Sequence, residues 1–327
     1  MQYAIYCWKI KALSSYLTPW QSDTIYGHIF WAISLLEGEE ELKKIIREFE
    51  EKNPPFIVSN GFTENSYPLL QKESIERNFT LECQKKFKKS MVDTVRTLKK
   101  IHKISFVSLD DFNVLRGKMK NSDFIQEKLW LQVEQEEKKK QKKRELESIT
   151  YHNVINRTSG STEDNALFTQ KEYTLSENLC IFIKLREDFP IDRINKYLHW
   201  IEETGYGKKI STGKGQISRV SFEKFEGFQK IENANAFVVL SNYIPEEGDY
   251  EREEHLEVLT KIPKLASDYT KNTVPFKKTF SCFTPGSLFY GQKREIVGKM
   301  LKDIHVDKNI IQVGIPFTLE VELPCQK

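Results

Sequence analysis

Two short apolar helices, each bracketed by β-rich segments, constrain what this 327-residue chain can become more than any single motif does. In the first, Ile25, Tyr26, Ile29, Phe30, Ile33 and Leu36 fall on one side of a 3.6-residue period. Ser22-Asp23-Thr24 offers its N-cap and Gly38 its stop. A strand over residues 3–10 precedes it. A polar amphipathic continuation runs to about Glu51, Pro54-Pro55 breaks it, and Phe56-Ile57-Val58-Ser59 reads as the next strand. The second helix begins near Pro190, carries Ile191, Ile194, Leu198 and Ile201 on one side, and stops at Gly205. Strands over 179–185 and 217–222 flank it.

Between these two blocks, from about 65 to 176, the pattern loosens into charged helix-like pieces and polar loops, longer than a connection inside a compact unit. This reads as an insertion. Without it the order is strand, helix, strand, strand, helix, strand, the split β-α-β order of a ferredoxin-like (RRM-like) module. Further strands at 236–240, 280–289 and 311–323 indicate a second α+β unit, the middle one interrupted by a turn at Pro285-Gly286. The expectation is an α+β chain of two ferredoxin-like domains, 1–228 with the insertion at about 65–176, and 229–327. A chain that is 39% hydrophobic and 12% aromatic can bury two such cores. No run approaches the roughly 18 apolar residues of a membrane span, and the N-terminus reads as a strand without a basic leader, so no membrane and a cytoplasmic location are expected. Cys7, Cys83, Cys180, Cys282 and Cys325 are scattered, which encodes neither a zinc knuckle nor a disulfide framework. Nothing calls for a metal or a cofactor.

The segment Gly205-Tyr206-Gly207-Lys208-Lys209-Ile210-Ser211-Thr212-Gly213-Lys214-Gly215 invites a phosphate reading. A triphosphate loop needs Gly at Lys208 and Ser or Thr at Gly215, and a dinucleotide fingerprint needs Gly at Ile210; both fail. The loop also follows a helix instead of opening one, so no helix dipole faces the phosphate. What remains is a glycine backbone that phosphates can approach closely, with Lys208, Lys209, Lys214 and nearby Arg219 and no acidic residue among them. Ser211 and Thr212 add hydroxyls. That composition suits a polyanion; the plainer reading is a helix end running into a solvated turn.

The net charge of +3 is uninformative until the charges are placed. Residues 84–103 carry eight Lys or Arg against Asp93 alone, a candidate RNA- or partner-facing surface, whereas 134–147 mixes signs and reads as an exposed helix with Glu134/Lys138 and Glu136/Lys140 pairs. Residues 151–160 read as a polar loop in which His152, Asn153 and Arg157 suit contact with bases and phosphates. His28 lies off the apolar side of the first helix and is free to face a ligand, although a lone helix histidine is more often a surface or interface group.

Taken together, Ser22-Asp23-Thr24-Ile25-Tyr26-Gly27, Pro54-Pro55-Phe56-Ile57-Val58-Ser59, the His152-Asn153…Arg157 loop with Leu167-Phe168, the glycine loop and Pro285-Gly286-Ser287 resemble the RAMP superfamily. Their order is similar to the subunit that caps the crRNA five-prime end in type III-A (Csm) effector complexes. The resemblance implies tandem ferredoxin-like domains, a thumb-like insertion, and no catalysis. It also implies three partners: the crRNA five-prime handle, a large polymerase-like signature subunit and a backbone RAMP subunit. Ser22, Asp23, His28, Gly207 and Gly213 join the loop lysines, Ser211, Thr212, Arg219 and the 152–157 residues as the implied RNA-binding set. The alternative is a metal-independent endoribonuclease with His28 as general base and Lys208 stabilising charge. A general RNA-binding ferredoxin-like protein is a third reading.

Overall fold

The computed structural model describes residues 2–70, 77–117, 121–136, 145–153, 155, 157–161, 167–265, 274–291 and 296–323. The first unit begins with β1 (Tyr3–Ala12), α1 (Ser22–Glu37), α2 (Glu39–Glu50) and β2 (Phe56–Thr63). The inserted segment contributes β3 (Tyr67–Pro68), α3 (Arg77–Phe87), α4 (Met91–Ile101), β4 (Phe106–Val107), α5 (Leu109–Arg116), α6 (Asn121–Phe124), a π turn, α7 (Trp130–Glu136) and the strands β5 (Glu145–His152) and β6 (Phe168–Leu175). The unit closes with β7 (Leu179–Arg186), α8 (Ile191–Thr204) and β8 (Ile217–Lys224).

The four long strands form one antiparallel sheet in the order β2-β7-β1-β8. This is the ferredoxin-like order expected from the sequence. Alternation decides the faces. Trp8 points to the helices, where its indole Nε1 donates to Glu202 of α8, and Val58 N–H donates to the Tyr26 hydroxyl of α1. Ile25, Ile29 and Ile33 of α1 and Ile194, Leu198 and Ile201 of α8 are fully buried there. Gly38, at φ 95°, ends α1 and starts α2, a conformation that costs glycine little. Two apolar positions fall outside the core: Leu36 is 37% exposed and Ile191 41%, because the stripes run past the ends of what the sheet covers. The N-cap is Gln21 and makes no side-chain cap bond, so Ser22 is already helical.

The insertion is more ordered than its sequence suggests. α3, α4 and α7 enclose Cys83, Leu98, Ile101, Trp130 and Val133, which join the main core, and Phe87 stacks on Trp130 at 4.0 Å. Short helices whose outer faces are lysine-rich conceal this periodicity. Of the expected helix over 134–147, the described residues place 134–136 in α7 and Glu145 onward in the strand β5; its expected i,i+4 pairs lie outside the described residues, while Glu134 pairs with Lys89 at 3.2 Å.

The second unit contains β9 (Ala236–Val239), β10 (Arg252–His255), β11 (Val258–Lys261), β12 (Phe280–Phe283), β13 (Leu288–Tyr290), β14 (Met300–Leu301), β15 (Gln312–Val313) and β16 (Thr318–Val321). Its sheet order is β10-β13-β9-β16. Numbering those strands one to four along the chain gives the same arrangement as the first unit. The crossovers differ: among the described residues this unit has no helix, and the pairs β11–β12 and β14–β15 occur in its connections. No helix among the described residues is long and apolar enough to cross a membrane.

The start of α1 is the junction between the units. Asn242 N–H donates to Ser22 Oγ (3.1 Å), Ser22 N–H to Asn60 Oδ1 (2.8 Å), and Asn60 Nδ2 to Asn242 Oδ1 (3.2 Å). Asp23 accepts from Asn242 Nδ2 at 3.0 Å and from Lys261 Nζ at 2.5 Å. Ser22 is 1% exposed and the Asp23 side chain 6%. The sequence reading placed both residues toward RNA; their polar atoms are instead spent between the units, where a buried hydrogen-bonded network rewards full satisfaction.

Candidate nucleic-acid interface

The glycine loop is a closed structure resting on aromatic rings. Gly205 (φ 90°) ends α8, and Tyr206 N–H donates to Gly215 O at 2.9 Å to seal the loop neck. The Tyr206 ring is buried and stacks on Trp20 at 3.6 Å and 9°. Gly207 N–H donates to His28 Nε2 (3.0 Å), Lys208 N–H to Thr18 Oγ1 (3.1 Å) and Gly215 N–H to Ser15 O (2.9 Å). A turn of 3-10 helix over Ile210–Thr212 forms the tip, flanked by Lys209 and Gly213 in left-handed conformations. Most of the amides around the glycines are therefore bonded within the protein and are not available to phosphate, contrary to the sequence reading. The exposed groups at the tip are the side chains of Lys208, Lys209, Ser211 and Thr212.

Folding also supplies the acids that the loop lacks in sequence. Lys214 Nζ pairs with Glu172 at 2.7 Å and donates to Ser15 Oγ at 2.8 Å. Arg219 pairs with Glu202 at 2.7 Å and also binds Asn195. Both were expected to meet RNA; in the folded chain both are ion-paired internally, with about a quarter of each side chain exposed. Glu172 is held below the usual carboxylate range, chiefly by its hydrogen bond with Lys214. Lys208 is different: it is exposed, and its ammonium has no carboxylate partner among the described residues.

The β5–β6 hairpin is the other half of the site. It runs in continuous register from Glu145↔Leu175 to His152↔Phe168. Tyr151 and His152, expected in a loop, are its last strand residues. The hairpin is anchored at the loop: Tyr16 and Tyr173 exchange backbone hydrogen bonds and stack at 5.6 Å, Lys214 holds Glu172, and Lys209 Nζ donates to Gln170 Oε1 at 2.6 Å. Beyond that anchor the arm is exposed and apolar, with Tyr151 72%, Ile155 58%, Leu167 67% and Phe168 47% exposed. His152 stacks on Phe168 at 5.4 Å and its Nε2 lies 3.2 Å from Thr150 Oγ1. Asn153 and Arg157 follow on the exposed tip. Sequence reasoning missed Thr18, Gln170 and Glu172. The strand alternation of residues 168–175 was the available signal.

His28 does not face outward. It lies 4.9 Å from the Tyr206 ring, and its Nε2 accepts the Gly207 N–H, which requires an unprotonated nitrogen. Burial pushes its pKa down to about 4. A histidine held neutral in the folded state destabilises that state as acid is added. Unfolded chain takes up the proton near pH 6.5 and the folded chain only near 4, so stability present above pH 6.5 is lost as the pH falls through that window. Denaturant unfolding should show roughly 2 kcal/mol lost between pH 7.5 and 5, a loss that His28→Gln removes. An equal slope in the variant would contradict this.

Sheet order and loop together define the class: two ferredoxin-like sheets in tandem, with a glycine- and lysine-rich loop between the second helix and the fourth strand of the first. Among solved structures, the chain is similar over its whole length to a chain of the Csm1–Csm4 cassette in complex with cA4, at TM-score 0.60 and 12% identity, covering 99% of this chain and 100% of that one. It is similar to a chain of the Csm3–Csm4 subcomplex of the type III-A CRISPR-Cas interference complex, at TM-score 0.60 and 17% identity, covering 98% and 100%. Csm4 is the subunit common to the two assemblies. At these identities the likeness is one of fold. No protein-family model and no curated protein matches the sequence.

Proposed function

We propose that this chain is a non-catalytic crRNA-binding subunit of a type III-A CRISPR effector ribonucleoprotein, holding the repeat-derived five-prime handle between the glycine loop and the hairpin arm. The observation that carries the reading is their convergence. Two segments whose composition suits RNA contact, about fifty residues apart in sequence, are joined through Lys209–Gln170 and Lys214–Glu172. Lys209 reaches Gln170 and stands 5.9 Å from the Phe168 ring centroid of an arm that carries His152, Asn153 and Arg157, and Lys208, Ser211 and Thr212 are exposed on the same loop tip. Lysines positioned this way grip a backbone, and an exposed Tyr151, Leu167 and Phe168 suit insertion beside unstacked bases. The tandem RAMP fold supports a place between a large signature subunit and a backbone RAMP subunit.

His28 argues against the endoribonuclease alternative. Its Nε2 lone pair is engaged by Gly207, and its depressed pKa leaves it a weak base. The test uses repeat-derived RNA, unrelated RNA of equal length and the purified chain at matched salt. The expected result is tighter binding to the repeat handle and no cleavage. Cutting that depends on His28 would overturn the non-catalytic reading, and equal affinity for both RNAs would favour a general RNA-binding protein.

A further inference from the structure

Between the two sheets, walled on one side by residues of the segment that connects the units, lies a cavity of about 420 Å³. It is on the opposite face of the first sheet from the helices and is separate from the glycine loop: Tyr3, Ile5, Ile57 and Lys184 line it from one unit, and Phe237 and Glu320 from the other. An unfilled packing fault is apolar and stays dry. This cavity instead gathers Arg116, Lys184 and Lys230 against Glu320.

Arg116 is the informative residue. It is 2% exposed, yet among the described residues no carboxylate lies within ion-pairing distance of it. Its Nε donates to Glu320 O and its Nη1 to Asn113 Oδ1, both at 3.0 Å, and Nη2 has no acceptor among the described residues. The Phe112 and Phe228 ring centroids stand 5.8 and 6.0 Å from the guanidinium carbon. Burial lowers its pKa to about 10, which leaves it charged at neutral pH. The Glu320 charge acts on it through space without an ion pair, and a buried cation so weakly compensated is costly unless something anionic satisfies it. Lys184 Nζ borders the same space, donating to Thr318 Oγ1 at 3.2 Å.

We propose that this inter-sheet cavity binds a nucleoside monophosphate group, with its phosphate on Arg116 and Lys184 and its base against Phe228 and Phe237. The volume falls in the range of small-ligand pockets, and a guanidinium whose Nη2 has no acceptor among the described residues is suited to phosphate. The group is supplied either by a free nucleotide or by the phosphorylated end of an RNA; the chemistry recognised is the same.

The test is calorimetric titration of the full chain with AMP, adenosine and inorganic phosphate. AMP should saturate one site, with adenosine at least about tenfold weaker. Lys184→Gln and, at the exposed mouth, Lys230→Gln should each weaken AMP by about three- to tenfold without loss of fold, whereas Lys208→Glu/Lys209→Glu should leave it unchanged. Displacement of AMP by five-prime-phosphorylated but not five-prime-hydroxyl oligonucleotide assigns the site to an RNA end; no displacement by either assigns it to a free nucleotide. No saturation by AMP up to about 1 mM overturns the proposal, as does binding lost in the loop variant and kept in both cavity variants. The loop variant also reports independently on the handle-binding reading, so the two can fail separately.

Discussion

Charge reversal at the loop tip, Lys208→Glu with Lys209→Glu, is expected to weaken handle binding by roughly ten- to a hundredfold near 50 mM salt while leaving the fold intact. The two side chains are exposed, so removing them exposes no core. Each lysine that neutralises a phosphate of a single strand contributes roughly 0.7 to the slope of log affinity against log salt. The slope should therefore fall by about 1.4 in the double variant, and the loss should shrink as salt rises. Lys209 has a second role, its hydrogen bond to Gln170 of the arm. Gln170→Ala removes that bond without changing charge and is the appropriate control: it should leave the salt slope unchanged. Filter binding across a salt series distinguishes these outcomes. A double variant that folds and retains wild-type affinity would remove the loop from the binding surface.

The largest stability effect is expected at Gly215→Ala. Gly215 has φ 68°, and a Cβ there would lie 2.0 Å from Tyr206 O, the residue whose N–H closes the loop neck. The carbonyl is backbone and cannot swing aside without opening the neck and dragging Tyr206 off Trp20. Gly213→Ala is the matched comparison, since it has φ 81° but nothing within 4 Å of the added methyl. It should cost only the left-handed conformation, about 1–2 kcal/mol. Gly215→Ala should cost well beyond that, roughly 3 kcal/mol or more, with Trp20 fluorescence reporting the lost stack. Equal destabilisation of the two variants would show that the neck is not the rigid element it is taken to be.

Much of the first unit was legible because its signals are local. The α1 and α8 stripes, Gly38, Pro54-Pro55 and the strands around residues 3–10 and 179–185 each state their own conformation, and their order dictates a ferredoxin-like sheet. The second unit was less legible because its strands are short and, among the described residues, no helix marks its crossovers. The insertion was hidden by lysine-rich outer faces that mask short buried stripes such as Cys83, Leu98 and Ile101.

For the site, residues 205–215 by themselves determined a glycine-rich, cationic loop after a helix end, and excluded both nucleotide-binding glycine motifs by spacing. Which cations remain free was decided only by the tertiary structure. Lys214 and Arg219 look identical to Lys208 in sequence, but Glu172 lies 42 residues from Lys214 and Glu202 sits one helix turn before the loop, on the face where Arg219 returns. His28 likewise has no sequence neighbour that would assign its proton; the Gly207 amide, 179 residues away, does so. Charge balance and protonation depend on distance through space, and that distance is set by packing rather than by spacing along the chain.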